Sequence, residues 1–270
     1  MGTRGGRGWH GRMFAAALGV TVVAAVTSVW TAEAGPVKEH RSTTAGASAH
    51  PSSPPGSGNP DTAAGTGSKH VSAELAHASE LGARGVNITI DDGPDPVWTP
   101  RVLEVLRDNG VKATFCMIGP LAQAHPDLVK AVVAAGHRLC DHSVSHDTTM
   151  DKKSEAYQSR EILDAAQMIT QASGGVQPSY YRAPGGAFTP YSRNLAASHG
   201  MRPLGWNVDS KDFERPGTAT IVATVKRELH LGPTLLFHDA GGDRSQTVAA
   251  LREVLPWLKQ QGYSFGFPVR

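Results

Sequence analysis

Long apolar runs, internal repeats and charge of one sign are all scarce in this 270-residue chain. The longest charge-free apolar stretch, Met13 to Val29, only reaches the lower edge of the roughly 17 to 25 residues that span a bilayer, which excludes a membrane bundle. No sustained heptad pattern supports a coiled coil. Of 26 Lys and Arg, three (Arg4, Arg7, Arg12) lie in the first 34 residues beside one acid, Glu33, leaving 23 basic and 23 acidic residues behind them. A neutral body gives no compositional support for a nucleic-acid or anionic-membrane face. Cysteine is limited to Cys116 and Cys140, and none follows the apolar run, so a lipid-anchored lipoprotein is not expected.

The leader has the three parts of a secretory signal: the arginines, the apolar run, and Ala32-Glu33-Ala34 as a small-x-small cleavage pattern. Residues 1 to 34 are read as a signal peptide, with a retained anchor as the alternative. The mature protein is then secreted or wall-associated, with no stable membrane insertion. Residues 35 to 70 hold 26 Gly, Pro, Ser, Thr or Ala among 36, too little apolar surface to order a core, and read as a disordered linker. A single domain is expected over residues 71 to 270, with its core from 86 onward.

Strand and helix alternate through that core. Strands are expected at Val86 to Ile90, Lys112 to Ile118, His137 to Cys140, Tyr180 to Arg182, Arg202 to Val208, Thr234 to Phe237 and near Tyr263. Helices between them include one opened by Pro100 and capped by Thr99, and others over Pro126 to Ala135, Ser154 to Ala172, Tyr191 to His199, Thr218 to Leu229 and Gln246 to Gln260. This is an α/β pattern with parallel strands. About 185 residues is short of the roughly 250 typical of a full eightfold barrel, so the barrel should be distorted or incomplete. Cys116 and Cys140 fall on neighbouring strands of an exported protein and could be bridged, two buried thiols being the alternative.

Chemistry collects where strands end. Asp91 and Asp92 precede Gly93-Pro94, which breaks strand alternation and lets both carboxylates reach one cleft. His142 and His146 stand four apart after the third strand; with one aspartate they make three protein ligands and leave a position open, as in hydrolytic zinc sites. Arg182 follows the fourth strand, Asp209 and Asp212 the fifth, and His238 with Asp239 the sixth. Loops at the carboxyl ends of parallel barrel strands open into one cleft.

These five segments resemble, in order, the five motifs of the polysaccharide deacetylases with the NodB-homology domain, carbohydrate esterase family four. The resemblance implies a distorted barrel of seven or eight strands holding Zn2+ or another divalent metal on Asp92, His142 and His146. It implies Asp91 as base, Arg182 as the arginine that aims it, His238 as general acid and Asp212 as its partner. The implied activity is hydrolysis of N-acetyl groups on N-acetylglucosamine-containing glycans, chitooligosaccharide or peptidoglycan; a monomer is expected. An O-acetyl esterase of the acetylxylan type, or an inactive secreted wall-binding protein, are the alternatives. Phe213 stands where the family usually has Trp, and Gly185 where it favours an aromatic residue, which removes a sugar-stacking surface from the expected subsite.

Overall fold

The structure is a computed structural model and describes residues 71–270. The expected signal peptide and linker lie outside the described residues. Eight strands form one parallel sheet: β1 (Gly85–Asp91), β2 (Ala113–Met117), β3 (Arg138–Asp141), β4 (Tyr180–Tyr181), β5 (Arg202–Pro203), β6 (Val208–Asp209), β7 (Thr234–His238) and β8 (Ser264–Gly266). Their order is β5-β4-β3-β2-β1-β7-β6, with β8 paired to the start of β1. Seven strands thus curl into an open half-barrel, the incomplete barrel expected from chain length.

Helices α1 (Trp98–Asp108), α2 (Gly119–Ala124), α3 (Pro126–Ala134), α4 (Glu155–Ser173), α5 (Pro190–Ser198), α6 (Thr218–Glu228) and α7 (Ser245–Gln260) fill the connections. Among the described residues, none is long and apolar enough to cross a membrane.

The period of two in β1 organises the core. Val86, Ile88 and Ile90 point outward into a buried cluster with Val102 and Leu106 of α1 and Leu251, Val254 and Leu258 of α7. Each such side chain contributes about 1.5 to 3 kcal/mol by leaving water. Asn87, Thr89 and Asp91 point the other way and are also buried. Inside the barrel Asn87 Nδ2 donates to Thr234 Oγ1 at 2.9 Å and Thr89 Oγ1 to the Leu235 carbonyl at 2.7 Å. The barrel therefore has an apolar outside and, along β1, a polar inside.

Two boundaries differ from expectation. Thr99 does not cap α1, which starts at Trp98, two residues before the expected Pro100. Asp95 Oδ1 takes the free amides of Val97 and Trp98, while Thr99 Oγ1 accepts from the Asp95 amide and donates to Asp239. The expected strand from Arg202 to Val208 is two short strands on opposite edges, β5 on β4 and β6 on β7. Between them the chain crosses the open side of the sheet. The Leu204 and Gly205 carbonyls accept from the Arg182 guanidinium instead of from a neighbouring strand. His238 consequently ends the seventh strand, not the sixth.

Cys116 and Cys140 are direct partners across β2 and β3 and are bridged. The bridge closes a loop of 24 residues. Opening it should cost about 3 kcal/mol by the chain-entropy argument. Urea unfolding with and without reductant measures this, and two free thiols in unreduced, unfolded protein would exclude the bridge.

Candidate active site

The carboxyl ends of the strands open into a cleft of about 680 Å³ lined by Asp91, Asp92, His142, His146, Arg182 and His238. Six of the seven residues expected to hold the metal or do the chemistry thus line one cleft, and the seventh, Asp212, is hydrogen-bonded to His238 Nδ1. Asp91 points inward because it continues the Asn87 and Thr89 face of β1. Asp92 should then face away, but its backbone adopts φ 77°, a left-handed conformation that Asp tolerates better than most residues. That turn brings the second carboxylate back to the cleft. A cis Gly93-Pro94 bond follows.

Asp92, His142 and His146 meet there. Asp92 Oδ1 lies 3.6 Å from His142 Nε2 and 3.2 Å from His146 Nε2. The two histidines converge without a helix: Ser143 and His146 are at positive φ, 69° and 53°, and the segment turns sharply. His142 Nδ1 donates to the Arg182 carbonyl at 2.8 Å, which leaves the Nε2 lone pair facing Asp92. Burial lowers the pKa of His142, favouring this neutral form. Asp92 resists its own burial because His146, His142 and His238 surround it, and its pKa is held down to about 2. Its Oδ1 is buried without a hydrogen-bond donor. One ionised carboxylate oxygen and two imidazole nitrogens, mutually within 4.8 Å, fit a divalent cation of the zinc type.

Asp91 and Arg182 form the second element. The guanidinium is fully buried and donates to Asp91 Oδ1 at 2.7 Å, Thr89 Oγ1 at 2.9 Å and the carbonyls of Leu204 and Gly205. The three other contacts fix the guanidinium, and its single charge-assisted bond aims the Asp91 carboxylate through Oδ1. Asp91 Oδ2 is left facing the cleft, 3.6 Å from His142 Nε2.

His238 and Asp212 form the third. His238 Nδ1 lies 2.7 Å from Asp212 Oδ1, and the His238 amide donates to Asp212 Oδ2 at 2.9 Å. Ser210 and Thr247 hydroxyls supply two more donors. Burial works against the imidazolium, yet the hydrogen bond and charge of Asp212 outweigh it and raise His238 to about 9. Asp212, although buried, is lowered by the same pairing.

Other strand-end residues separate from this group. Asp239 does not enter the cleft: it is buried behind Gly93, with Thr99 Oγ1 at 2.5 Å. A Cβ at residue 93 would stand 2.2 Å from Asp239 Oδ1, so only glycine allows the loop to lie this close. Asp209 lines the cleft but is engaged by Lys211 Nζ at 2.8 Å. Phe213 packs edge-on against His238, ring centroids 5.4 Å apart, and remains 41% exposed. Gly185 and Thr148 also line the cleft. Trp206, Arg244 and Thr247 escaped the sequence reading. Trp206 sits inside an expected strand, Arg244 immediately precedes α7 and Thr247 lies in its first turn, where polar residues are ordinary.

Comparisons agree with this arrangement. Residues 78–204 match the family model described as polysaccharide deacetylase. A peptidoglycan-N-acetylglucosamine deacetylase of Bacillus cereus is 39% identical over 182 residues, covering 67% of this chain and 84% of the relative. A chitooligosaccharide deacetylase of Sinorhizobium fredii is 36% identical, covering 68% and 90%. The solved structure of a family 4 carbohydrate esterase from Streptomyces lividans in complex with acetate is 34% identical with a TM-score of 0.61, covering 68% and 92%. With identity at this level extending over most of the relatives' length, and with the incomplete barrel in common, the chain belongs to the polysaccharide deacetylase family.

Proposed function

We propose that the protein is a secreted, metal-dependent deacetylase that removes N-acetyl groups from N-acetylglucosamine-containing glycans, chitooligosaccharide or peptidoglycan, and releases acetate. One observation carries this reading. The Asp91-Arg182 pair and the His238-Asp212 pair both border the Asp92-His142-His146 cluster, placing a carboxyl group held by an arginine and a protonated imidazole in the same cleft. That is the equipment for attack by water and protonation of a departing amine. The domain from residue 71 onward carries this activity, with residues 1 to 34 as signal and 35 to 70 as linker.

Bound at Asp92, His142 and His146, a divalent metal would supply Lewis-acid polarisation of the acetyl carbonyl and of water. Asp91 accepts the proton of the attacking water through the oxygen that Arg182 leaves free. The Gly185 backbone N-H is assigned to the oxyanion of the tetrahedral intermediate. His238 then gives its Nε2 proton to the departing sugar nitrogen while Asp212 holds the ring. Phe213 forms the apolar wall beside that proton, and Gly185 offers the cleft no stacking ring.

The deciding experiment is acetate release by the zinc-loaded protein from chitooligosaccharide, peptidoglycan and acetylated xylan. Release from either N-acetylated substrate supports the reading. Release from xylan alone makes the protein an O-acetyl esterase, and release from none makes it a wall-binding protein.

Metal retention tests the ligand set separately. Asp92→Ala, His142→Ala and His146→Ala should each lower zinc affinity at least ~10-fold, because each removes one of three protein ligands. Dialysis against a graded chelator, read by metal analysis, measures the loss. Wild-type retention by any of the three removes that residue from the set. Export is checked by the mass of the protein in culture supernatant, expected to begin at Gly35; a full-length membrane form would refute it.

A further inference from the structure

Arg244 is a charged side chain that the proposed mechanism does not use. It is only 3% exposed, it lines the cleft, and its partners are carbonyl oxygens and not carboxylates. Nε donates to Ala240 O at 2.6 Å, Nη2 to Gly241 O at 3.2 Å and Nη1 to Asp212 O at 3.4 Å. Burying a guanidinium without an acid is costly, so the contacts it makes in exchange are informative.

Those contacts join two separate segments. Ala240 and Gly241 follow His238 in the turn from β7 to α7, whereas Asp212 lies on the short 3-10 turn at Asp212–Glu214. The β7 to α7 turn places Gly241 and Gly242 at φ 77° and 130°, conformations that glycine adopts without a steric penalty. A Cβ at Gly241 would lie 3.1 Å from Arg244 Nη2, so the glycine there leaves room for the guanidinium. Three residues further along the same chain, Thr247 Oγ1 donates to Asp212 Oδ2 at 2.7 Å. Residues 244 and 247 therefore grip the backbone and the carboxylate of Asp212 from one helical turn, while Arg244 also grips the backbone just after His238.

We propose that Arg244 is a positioning residue for the general acid: its planar fork ties the turn after His238 to the turn bearing Asp212, so that the imidazole keeps one orientation towards the leaving group. Its donors are fixed relative to one another, whereas a lysine in its place offers a single ammonium that cannot reach all three carbonyls at once. Thr247 acts with it by holding the Asp212 carboxylate through Oδ2. This inference rests on the general-acid role proposed for His238.

The test uses the zinc-loaded protein with Arg244→Met, Arg244→Lys and Thr247→Val. Misplacing an acid that must protonate a leaving amine should lower kcat on an N-acetylated oligosaccharide by about 10²-fold in Arg244→Met and less in the other two. KM should stay within about twofold, because substrate binding is not what is lost. Turnover of 4-nitrophenyl acetate, whose phenolate departs unprotonated, should also change by no more than about twofold. An equal loss on both substrates would assign Arg244 a merely structural role and overturn the inference, as would unchanged kcat on the amide.

A second readout needs no turnover. The proton between His238 Nδ1 and Asp212, identified by its absence in His238→Gln, should be a slowly exchanging downfield NMR signal in the wild type. It should be lost or move upfield in Arg244→Met and be partly restored in Arg244→Lys. An unchanged signal in Arg244→Met overturns the inference even if the substrate reading is wrong, and its loss supports the inference in that case too. Where Arg244→Met fails to fold, Arg244→Lys and Thr247→Val give the same two readouts.

Discussion

Asp91→Asn should abolish deacetylation, lowering kcat/KM by about 10² to 10⁴-fold, while the protein keeps its zinc. The amide is nearly isosteric with the carboxylate and still accepts a hydrogen bond from Arg182 through its oxygen. It cannot take a proton from water at neutral pH. Asp91 also does not belong to the Asp92-His142-His146 cluster, so the metal should remain. A stability cost accompanies the change, because the fully buried Arg182 guanidinium loses its counter-charge. Breaking such a buried pair costs about 3 to 5 kcal/mol, with the surviving hydrogen bond favouring the lower end. Activity must therefore be measured well below the new thermal midpoint. If metal analysis finds Asp91→Asn empty and Asp92→Asn loaded, the two carboxylates have been assigned in reverse.

His238→Ala should remove about 10² to 10⁴-fold from kcat/KM on an N-acetylated oligosaccharide and at least ~10-fold less on an O-acetylated one. An amine is a very poor leaving group until protonated, whereas a sugar alkoxide departs more readily. The bond cleaved therefore decides how much the acid matters. An equal or larger loss on the ester would overturn the assignment to N-acetyl groups.

The same residue sets an alkaline limb. His238 is raised to about 9, so its acid form persists through neutrality and is lost as pH rises through that value. Asp212→Asn removes the carboxylate that outweighs burial, and the limb should move to lower pH. The pH profile of kcat measures both positions. A limb that stays in place in Asp212→Asn would show that another group governs it.

The sequence by itself determined the number and order of most strands and helices, because apolar residues recur at periods of 2 and 3.6 and Gly or Pro marks the ends. It also determined that the barrel is incomplete, since the chain is too short to close one. The chemistry-bearing residues were legible because each sits at a strand end, and parallel strands direct those ends to one side. Cys116 and Cys140 belong here as well, their adjacency following from strand order.

Tertiary structure decided what depends on contacts remote in sequence. Arg182 draws the carbonyls of Leu204 and Gly205 inward, which divides one expected strand into two. Thr99 has the chemistry of a helix cap but is claimed by Asp239, 140 residues away, while Asp95 takes over the helix amides. Asp239 is adjacent in sequence to His238, yet it turns away from the cleft and is buried against the loop that carries Asp92. No local pattern distinguishes Arg244 and Thr247 from ordinary polar residues at a helix start. Their meaning comes from Asp212, more than thirty residues earlier, which the folded chain brings within reach of both.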